Sequence, residues 1–268
     1  MAPSLSQSEP RPVRIGLALS GGGTRGAAHV GVIKALLELG VRTDVVAGAS
    51  AGSIVATMYG AGIAPDDMLG LFRNSRFRDV FAPSFPGAGF FRLEKFKSFF
   101  GAHVGYDRLE DLPVPAVVTA TDIDRGERVA FDHGVLVDCV AASCSIPVVF
   151  RPVVIDGVRY VDGGVLANLP AWALSGRCDY MIGSNCCPLS EPKPVNTMFY
   201  LAQRNFEIMW KHNSLPEMAL CDAVIQTRSA IDYSMFNFKV LEKIVEGGYA
   251  DTMAYFEAHP LPEQVKTR

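Results

Sequence analysis

Two short apolar runs, each ending in small residues and passing directly into a helical pattern, constrain the fold more than any other feature of the sequence. The first, VRIGLAL at residues 13–19, leads through the loop SGGGTRG into apolar positions at helical spacing over residues 25–39, which Gly40 ends. The second, DVVAGAS at residues 44–50, leads into the helical stretch AGSIVATMYGAG. This alternation predicts an α/β fold, in which helices pack on the faces of a parallel sheet.

The rest of the chain continues this pattern and adds a hairpin. Helices are predicted near residues 135–143, 195–212 and 239–258, and further strands at PAVVTAT, RVAFD, RPVVI, VRYVD, DYMIGS and AVIQTR. Asp156 and Gly157 stand between two apolar runs, which is a strong hairpin signal. The sheet is therefore predicted to be mostly parallel and partly mixed.

Length and composition favour one domain without a nucleic-acid partner. The 268 residues suffice to bury a large core, and they contain no repeat, long linker or low-complexity segment. We predict a flexible tail over residues 1–12 and a single domain over residues 13–268. The net charge of −3 gives no general attraction to nucleic acid. The composition does not fix the oligomeric state.

The N-terminus and the cysteines indicate a cytoplasmic protein without a metal. The stretch MAPSLSQSEPRPVR lacks the order of a signal peptide, and no apolar run is long enough to span a bilayer. We expect cytoplasmic residence, with at most a transient, peripheral contact with a membrane surface. The six cysteines form no C-x-x-C pair and have no histidines at zinc spacing, so no metal and no cofactor are expected.

The sequence GASAG fits the pattern G-x-S-x-G, in which a serine occupies a sharp turn between a strand and a helix. Gly48 and Gly52 allow a tight turn and close packing, so that the Ser50 hydroxyl projects from the loop. The helix that follows directs unpaired N–H groups toward the same place. A serine that only caps the helix is the alternative interpretation of these five residues.

The glycine loop is expected to lie beside Ser50, because the carboxyl ends of parallel strands share one edge of the sheet. Gly21, Gly22 and Gly23 would then present backbone N–H groups to negative charge that develops on a carbonyl oxygen. The N–H of Ala51, which follows the serine, could add another donor.

The same loop also satisfies the dinucleotide-binding pattern G-x-G-x-x-G through Gly21, Gly23 and Gly26. That function requires an acidic residue at the end of the second strand, to hold a ribose. Asp44 stands at the beginning of this strand, and therefore points away from the cofactor edge. An oxyanion explains the loop better than a nucleotide does.

A serine nucleophile needs a base, and Asp162 is the strongest candidate. It ends the apolar run VRYV and is followed by Gly163 and Gly164, although Asp-Gly is also an ordinary turn signal. No histidine lies in a recognisable triad context; the five are His29, His103, His133, His212 and His259. Burial would raise the pKa of Asp162 and make it a better base, and a short hydrogen bond to Ser50 would orient the proton transfer.

The motifs GGGTRG, GASAGS and DGG, in this order, resemble the signature of the patatin-like phospholipases. Supporting matches are AASCSIPVVF, the NLP at residues 168–170 and EGGYADTM near the end, so that the similarity covers about residues 13–256. Within this family, the sequence resembles the smaller bacterial members related to the catalytic region of neuropathy target esterase.

This resemblance implies a three-layer α/β/α fold and a Ser/Asp dyad without histidine. It assigns the nucleophile to Ser50, the base to Asp162 and the oxyanion hole to the loop of Gly21, Gly22 and Gly23. Arg25 matches the basic position of the family in that loop, where it would place positive charge near the oxyanion, unless a salt bridge holds it within the loop.

Eight of the sixteen phenylalanines fall between Phe77 and Phe100, among prolines, glycines and the cations Arg92, Lys95 and Lys97. One interpretation is a mobile apolar cover that accepts acyl chains or dips into a lipid surface. The other is an inserted helix near residues 93–100 that packs Phe96, Phe99 and Phe100 into the core.

The leading hypothesis is a serine acyl hydrolase that acts on lipid esters of the phospholipase A, lysophospholipase or carboxylesterase type. Its partner would be a lipid or fatty-acyl ester. Two alternatives remain at this point: a dinucleotide-binding protein, and a non-catalytic lipid-binding module with the same fold. An acyltransferase that uses the same acyl-enzyme also remains open, because the motifs do not specify the acceptor.

Overall fold

The predicted order of strands and helices is present in a computed structural model, which describes residues 12–74, 82–84, 89–191, 195, 197–235 and 237–266. The predicted tail, apart from Pro12, lies outside these ranges. The strands are β1 Ile15–Leu19, β2 Val45–Ala49, β3 Ala82–Pro83, β4 Gly89–Arg92, β5 Ala116–Asp122, β6 Glu127–Phe131, β7 Val148–Phe150, β8 Val153–Ile155, β9 Val158–Asp162, β10 Tyr180–Asn185 and β11 Ala223–Gln226. The helices are α1 Ala28–Glu38, α2 Ala51–Gly60, α3 Pro65–Asn74, α4 Glu94–Val104, α5 Leu136–Ser143, α6 Met198–Met218 and α7 Leu241–Ala258.

The main sheet is mixed, as predicted. Its strands follow the order β11-β10-β1-β2-β5-β9-β8, and β6 also pairs with β5. The five strands from β11 to β5 are parallel, whereas β6, β8 and β9 pair antiparallel with their neighbours. The hairpin between β8 and β9 turns at Asp156 and Gly157, both of which have positive φ. The sequence therefore located both the parallel core of the sheet and its antiparallel edge.

Helices cover both faces of this sheet, which confirms the three-layer α/β/α architecture. On one face, α1, α2, α5 and α7 enclose the larger apolar core, which contains the side chains of Leu17, Leu19 and Val46. On the other face, a 3₁₀ helix over Ala171–Leu174 and the end of α6 pack against Ala18 and Ala47. Strands β1, β2 and β5 are buried on both faces, and this explains their nearly continuous apolar sequences.

Three features differ from the expectation, and the first is helix α3, Pro65–Asn74, which was not predicted. The residues Gly23–Ala27 form a 3₁₀ helix, so that α1 begins at Ala28 rather than near Arg25. A second sheet of β3, β4 and β7 was not predicted, because its strands are only two to four residues long. Strands this short carry no measurable alternation of apolar and polar residues.

Candidate active site

Ser50 occupies a sharp turn between β2 and α2. Its backbone has φ 51° and ψ −123°, in the region that favours glycine, and such strain costs about 1–3 kcal/mol at a residue with a side chain. The Ser50 side chain makes no capping hydrogen bond to the helix, so the helix-cap interpretation is wrong. The backbone N–H of Ser50 donates a hydrogen bond to Ser143 Oγ at 2.8 Å.

The glycines around Ser50 are required by close packing. A Cβ at Gly52 would lie 2.2 Å from the Leu19 carbonyl oxygen, and one at Gly48 would lie 2.3 Å from the Gly52 carbonyl oxygen. At Gly26, an added Cβ would come within 2.5 Å of the Ala51 side chain. Strand β1, the glycine loop and the serine turn are thus in direct contact, which is why three separate glycines are needed there.

Asp162 lies at the same level of the sheet as Ser50. Ala49 pairs with Thr119 of β5, and the next residue of β5, Ala120, pairs with Asp162 of β9. The Gly164 N–H donates to Asp162 Oδ1 at 2.7 Å, whereas Oδ2 is buried without a hydrogen-bond partner. The tight turn is enforced at Gly163, where a Cβ would lie 2.4 Å from the Thr119 carbonyl oxygen.

Burial raises the pKa of Asp162 to about 7, although the Ser50 hydroxyl and the Gly164 N–H act in the opposite direction. The Ser50 hydroxyl is therefore close enough to influence the carboxyl. Although this hydroxyl lowers the pKa, Oδ2 has no hydrogen-bond partner at ordinary distance and angle. The carboxyl is only 2 % exposed, so water does not offset the cost of its charge.

The glycine loop differs from the expectation at Gly21. Its N–H donates to the Asn168 carbonyl oxygen at 3.0 Å, so Gly21 is not available as an oxyanion donor. In the described part of the chain, no hydrogen bond is found for the N–H groups of Gly22, Gly23 and Ala51. These three groups remain the candidates for that role.

Arg25 also differs from the expectation, because residues remote from the loop bind its guanidinium. The Nη2 atom forms a buried ion pair with Glu207 at 3.3 Å, and Nε donates to the Tyr233 carbonyl oxygen at 2.8 Å. Arg25 thereby joins the glycine loop to α6 and to the segment after β11, and Glu207 also pairs with Arg204 at 3.2 Å. The Thr24 N–H adds a further bond to that segment, to Met235 O at 2.9 Å.

An apolar cavity opens at Ser50. Ser50 and Ala51 form part of its wall together with Gly23 and Thr24 of the glycine loop. The remaining wall is largely apolar and aromatic, and includes Ile54, Met58, Leu71, Leu93, Phe96, Phe99, Phe100, Ile146, Phe150, Met235, Phe238 and Leu241. The cavity thus offers a nonpolar environment directly beside the candidate nucleophile.

The aromatic segment combines elements of both interpretations of its sequence. Phe96, Phe99 and Phe100 lie on α4, as the inserted-helix interpretation expects, and Phe96 and Phe100 are buried. All three also line the cavity at Ser50, and Phe96 and Phe100 belong to the larger apolar core as well. Phe77, Phe81 and Phe85 lie outside the described residues.

A family profile described as Patatin-like phospholipase matches residues 17–175, which include Ser50 and Asp162. The chain belongs to the patatin-like phospholipase family. An uncharacterized NTE family protein of Mycobacterium tuberculosis is 36% identical over 197 residues, which are 70% of this chain and 54% of that protein. Lysophospholipase NTE1 of Scheffersomyces stipitis is 26% identical over 216 residues, 76% of this chain and 14% of that protein.

Among solved structures, VipD from Legionella pneumophila is similar to this patatin-like protein with a TM-score of 0.50 and 14% identity. The match covers 94% of this chain and 68% of VipD, and it supports the fold alone. The chain spans about half the length of its mycobacterial relatives.

The structure contradicts the dinucleotide-binding alternative for this patatin-like protein. Asp44 precedes β2 and accepts a hydrogen bond from the Ile15 N–H at 2.7 Å, at the edge of the sheet opposite Ser50.

His29 is buried between Ser184 Oγ and the Ser20 carbonyl oxygen, and burial lowers its pKa to about 4. It therefore has a structural role as a neutral side chain.

Several residues of the patatin-like site were not predicted. Ser143 binds the Ser50 N–H, and the Ser145 carbonyl oxygen accepts from the Asp162 N–H at 3.0 Å, so that one segment joins both candidate catalytic residues. Asn168 contacts the glycine loop from the other side. Ser143 and Ser145 lie in AASCSIPVVF and Asn168 lies in NLP, two stretches that support the family resemblance. No local spacing indicates the roles of these three residues.

The described residues contain no helix with the length and apolar character that crossing a membrane requires. In the same ranges, no group of three histidine, cysteine or carboxylate side chains is arranged to hold a metal ion.

Proposed function

We propose that this protein is a serine hydrolase of lipid esters, in which Ser50 is the nucleophile and Asp162 is the general base. The observation that carries the proposal is the position of Ser50: it occupies a strained turn in the wall of an apolar cavity, at the level of a buried carboxyl. The membership of the chain in the patatin-like phospholipases and the lysophospholipase names of its relatives support this chemistry.

The reaction follows from the chemistry of these groups. The Asp162 carboxylate accepts the proton of Ser50 as Oγ attacks the ester carbonyl carbon, and the carbonyl oxygen becomes negatively charged. The N–H groups of Gly22, Gly23 and Ala51 are the candidates to stabilise this oxyanion, and one well-placed donor contributes about 3–4 kcal/mol. The protonated Asp162 then donates to the leaving alcohol, and an acyl-Ser50 ester remains. Asp162 next accepts a proton from water as the water oxygen attacks the acyl carbon; the bond to Ser50 Oγ then breaks, Oγ takes the proton back from Asp162, and the acid is released.

The cavity favours an ester with a long acyl chain. Its wall includes Phe96, Phe100, Met58 and Leu241, and the transfer of a chain from water to such an environment contributes about 0.8 kcal/mol per methylene group. We therefore expect selectivity for the acyl chain to exceed selectivity for the head group.

The test is labelling with a fluorophosphonate, followed by hydrolysis of p-nitrophenyl esters from acetate to palmitate. Ser50→Ala should abolish both the labelling and the hydrolysis. Ser53→Ala is the matched control, since Ser53 lies one turn later in α2 and its buried hydroxyl donates to the Ser50 carbonyl oxygen at 2.6 Å. Labelling that survives in Ser50→Ala would refute the assignment of the nucleophile. A labelled protein that hydrolyses none of the esters would favour an acyltransferase, whereas an unlabelled wild type would favour the non-catalytic lipid-binding module.

We also propose a transient contact with an anionic lipid surface through the small sheet beside the cavity. Phe90 and Val148 are 59% and 63% exposed, and Val148 pairs with Gly89, which precedes Phe90. Val148 has φ 73°, an unfavourable conformation for a β-branched residue, which directs an apolar side chain into solvent. Exposed Arg92 and Lys95 lie close by in sequence and supply positive charge toward anionic headgroups.

Co-sedimentation with vesicles of phosphatidylglycerol and phosphatidylcholine tests this surface. The double variant Phe90→Ser, Val148→Ser should lose vesicle binding and retain hydrolysis of p-nitrophenyl butyrate. Met198→Ser, which removes a highly exposed apolar side chain at the start of α6, is the control and should bind vesicles as the wild type does. Equal vesicle binding by the double variant and the wild type would contradict the proposal.

A further inference from the structure

Asn168 forms two hydrogen bonds with Gly21. Its carbonyl oxygen accepts from the Gly21 N–H at 3.0 Å, and its side-chain Nδ2 donates to the Gly21 carbonyl oxygen at 3.3 Å. Asn168 is completely buried. Both polar backbone groups of Gly21 are therefore bound by one residue that lies 147 positions later in the chain.

The direction of the Gly21 carbonyl determines the direction of the next N–H. In a trans peptide, the C=O of one residue and the N–H of the following residue point to opposite sides. Because Asn168 Nδ2 and, at 3.4 Å, Cys186 Sγ both bind the Gly21 oxygen, the Gly22 N–H points away from these two side chains. Glycines permit many backbone conformations, so a Gly-Gly peptide without such bonds could rotate readily.

Gly22 itself is not part of the cavity wall, and neither are Asn168 and Cys186, but the wall includes Gly23 and Thr24, which follow Gly22 in the loop, and Ser50. In the described part of the chain the Gly22 N–H has no hydrogen-bond acceptor. A group with this direction and no protein partner is available to bind an oxygen of a substrate.

We propose that Asn168 is a positioning residue that holds the Gly21–Gly22 peptide so that the Gly22 N–H is an oxyanion donor. This inference rests on the proposed function of Ser50. Asn213 supports Asn168 in turn: its Oδ1 accepts from the Asn168 N–H at 3.1 Å, and its Nδ2 donates to the Gly164 carbonyl oxygen at 2.8 Å. The oxyanion loop and the turn that carries Asp162 are thereby joined through two asparagines.

The decisive measurement compares two ligands that share an alkyl chain. A long-chain trifluoromethyl ketone reacts with Ser50: Oγ bonds to the ketone carbon, the carbonyl π electrons move to oxygen, and the hydroxyl proton passes to Asp162. The corresponding secondary alcohol occupies the cavity but forms no adduct. Asn168→Ala should weaken the ketone adduct about 10²-fold, the effect of one lost oxyanion donor, and leave the affinity for the alcohol unchanged. In ester hydrolysis, kcat should fall while KM stays constant.

Two further variants separate positioning from stability. Asn168→Leu is close in size and has no donor for the Gly21 oxygen, so it should weaken the ketone adduct as Asn168→Ala does. Thr252→Val removes a buried hydroxyl that donates to the Gly248 carbonyl oxygen within α7, and it should lower stability without changing the adduct.

The outcomes distinguish this inference from the proposed function. A wild-type protein that binds the ketone no better than Ser50→Ala does would refute the proposed function itself. A wild type with a Ser50-dependent adduct, combined with wild-type adduct affinity in both Asn168 variants, would overturn only the role of Asn168. Equal losses of affinity for the ketone and the alcohol would also overturn the role of Asn168, because they indicate general damage to the cavity.

Discussion

Strand β9 carries the same dipeptide, Asp-Gly, at each of its ends. Asp156 and Gly157 form the exposed turn before the strand, and both have positive φ, as hairpin turns with these residues do. Asp162 and Gly163 form the turn after it, where Asp162 is only 2 % exposed. The local sequences are alike, but their surroundings differ completely.

The difference between the two turns lies in what packs against them. A Cβ at Gly157 would meet nothing within 4 Å, whereas one at Gly163 would collide with the backbone of β5. Burial against neighbouring elements raises the pKa of Asp162 to about 7, which gives it the basicity that its proposed role requires. The dipeptide therefore specifies a turn, and the environment of the turn determines its chemistry.

The largest expected difference between the two turns is the effect of their aspartates on kcat. Asp162→Asn should reduce kcat about 10³-fold or more, because the amide cannot accept the Ser50 proton. Asp156→Asn should leave kcat unchanged and keep the turn, since Asn-Gly suits the same turn type. Initial rates with p-nitrophenyl butyrate, with circular dichroism to verify folding, measure both. Wild-type turnover in Asp162→Asn would refute the role of Asp162 as base.

The same pair should differ in stability as a function of pH. The folded pKa of Asp162 lies above the unfolded value of 3.8, so between these values the folded state retains a proton that the unfolded state releases. Ionisation therefore lowers the free energy of unfolding as the pH rises toward 7, by ~4 kcal/mol for a shift of about three pKa units. Asp162→Asn removes this cost.

Urea unfolding at pH 4 and pH 8 checks this expectation. Asp162→Asn should be more stable than the wild type at pH 8 and about equal to it at pH 4, whereas Asp156→Asn should follow the wild type at both. A stability difference that is independent of pH would show that the carboxyl is not held in an unfavourable environment.

Replacing each of these two glycines by alanine should separate the effect of a steric clash from the effect of an unfavourable backbone conformation. Gly163→Ala should destabilise the fold by about 3 kcal/mol and also displace Asp162, because the added Cβ meets the Thr119 carbonyl oxygen. Gly157→Ala should cost about 1–2 kcal/mol, since it has space but a positive φ, and its kcat should stay at the wild-type value. Thermal unfolding together with kcat measures both. Equal losses of activity would remove the distinction between the two turns.

The pH profile of activity is expected to show the smallest of these effects. Since the base must be ionised and its pKa is about 7, kcat/KM should be constant above pH 8 and fall toward tenfold per pH unit below pH 7. Asp156→Asn should have the same profile. A rate that stays constant down to pH 5 would show that the base has an ordinary carboxyl pKa.

The sequence predicted the parallel strands, the serine turn and the hairpin correctly because local patterns encode them. Apolar runs mark β1 and β2, and the spacing of Gly48, Ser50 and Gly52 reflects contacts within a few residues and with the preceding strand. The family resemblance is confirmed by the profile match. The small sheet of β3, β4 and β7 escaped prediction because its strands are too short to show a period.

The roles of Arg25 and Gly21 could not be predicted, because their partners are remote in sequence. Glu207, which forms an ion pair with Arg25, lies 182 residues away, and Asn168, which binds Gly21, lies 147 residues away. Local spacing carries no information about such partners.

By itself, the sequence determined which residues form the strands and turns, and that a serine, glycines and an aspartate meet at one edge of the sheet. Only the tertiary structure decided which backbone N–H groups remain unpaired, which residues bind the guanidinium of Arg25, and that the carboxyl of Asp162 is buried deeply enough for a pKa of about 7. The physical reason is that secondary structure follows from neighbouring residues, whereas hydrogen-bond partners and desolvation depend on everything that packs around a group.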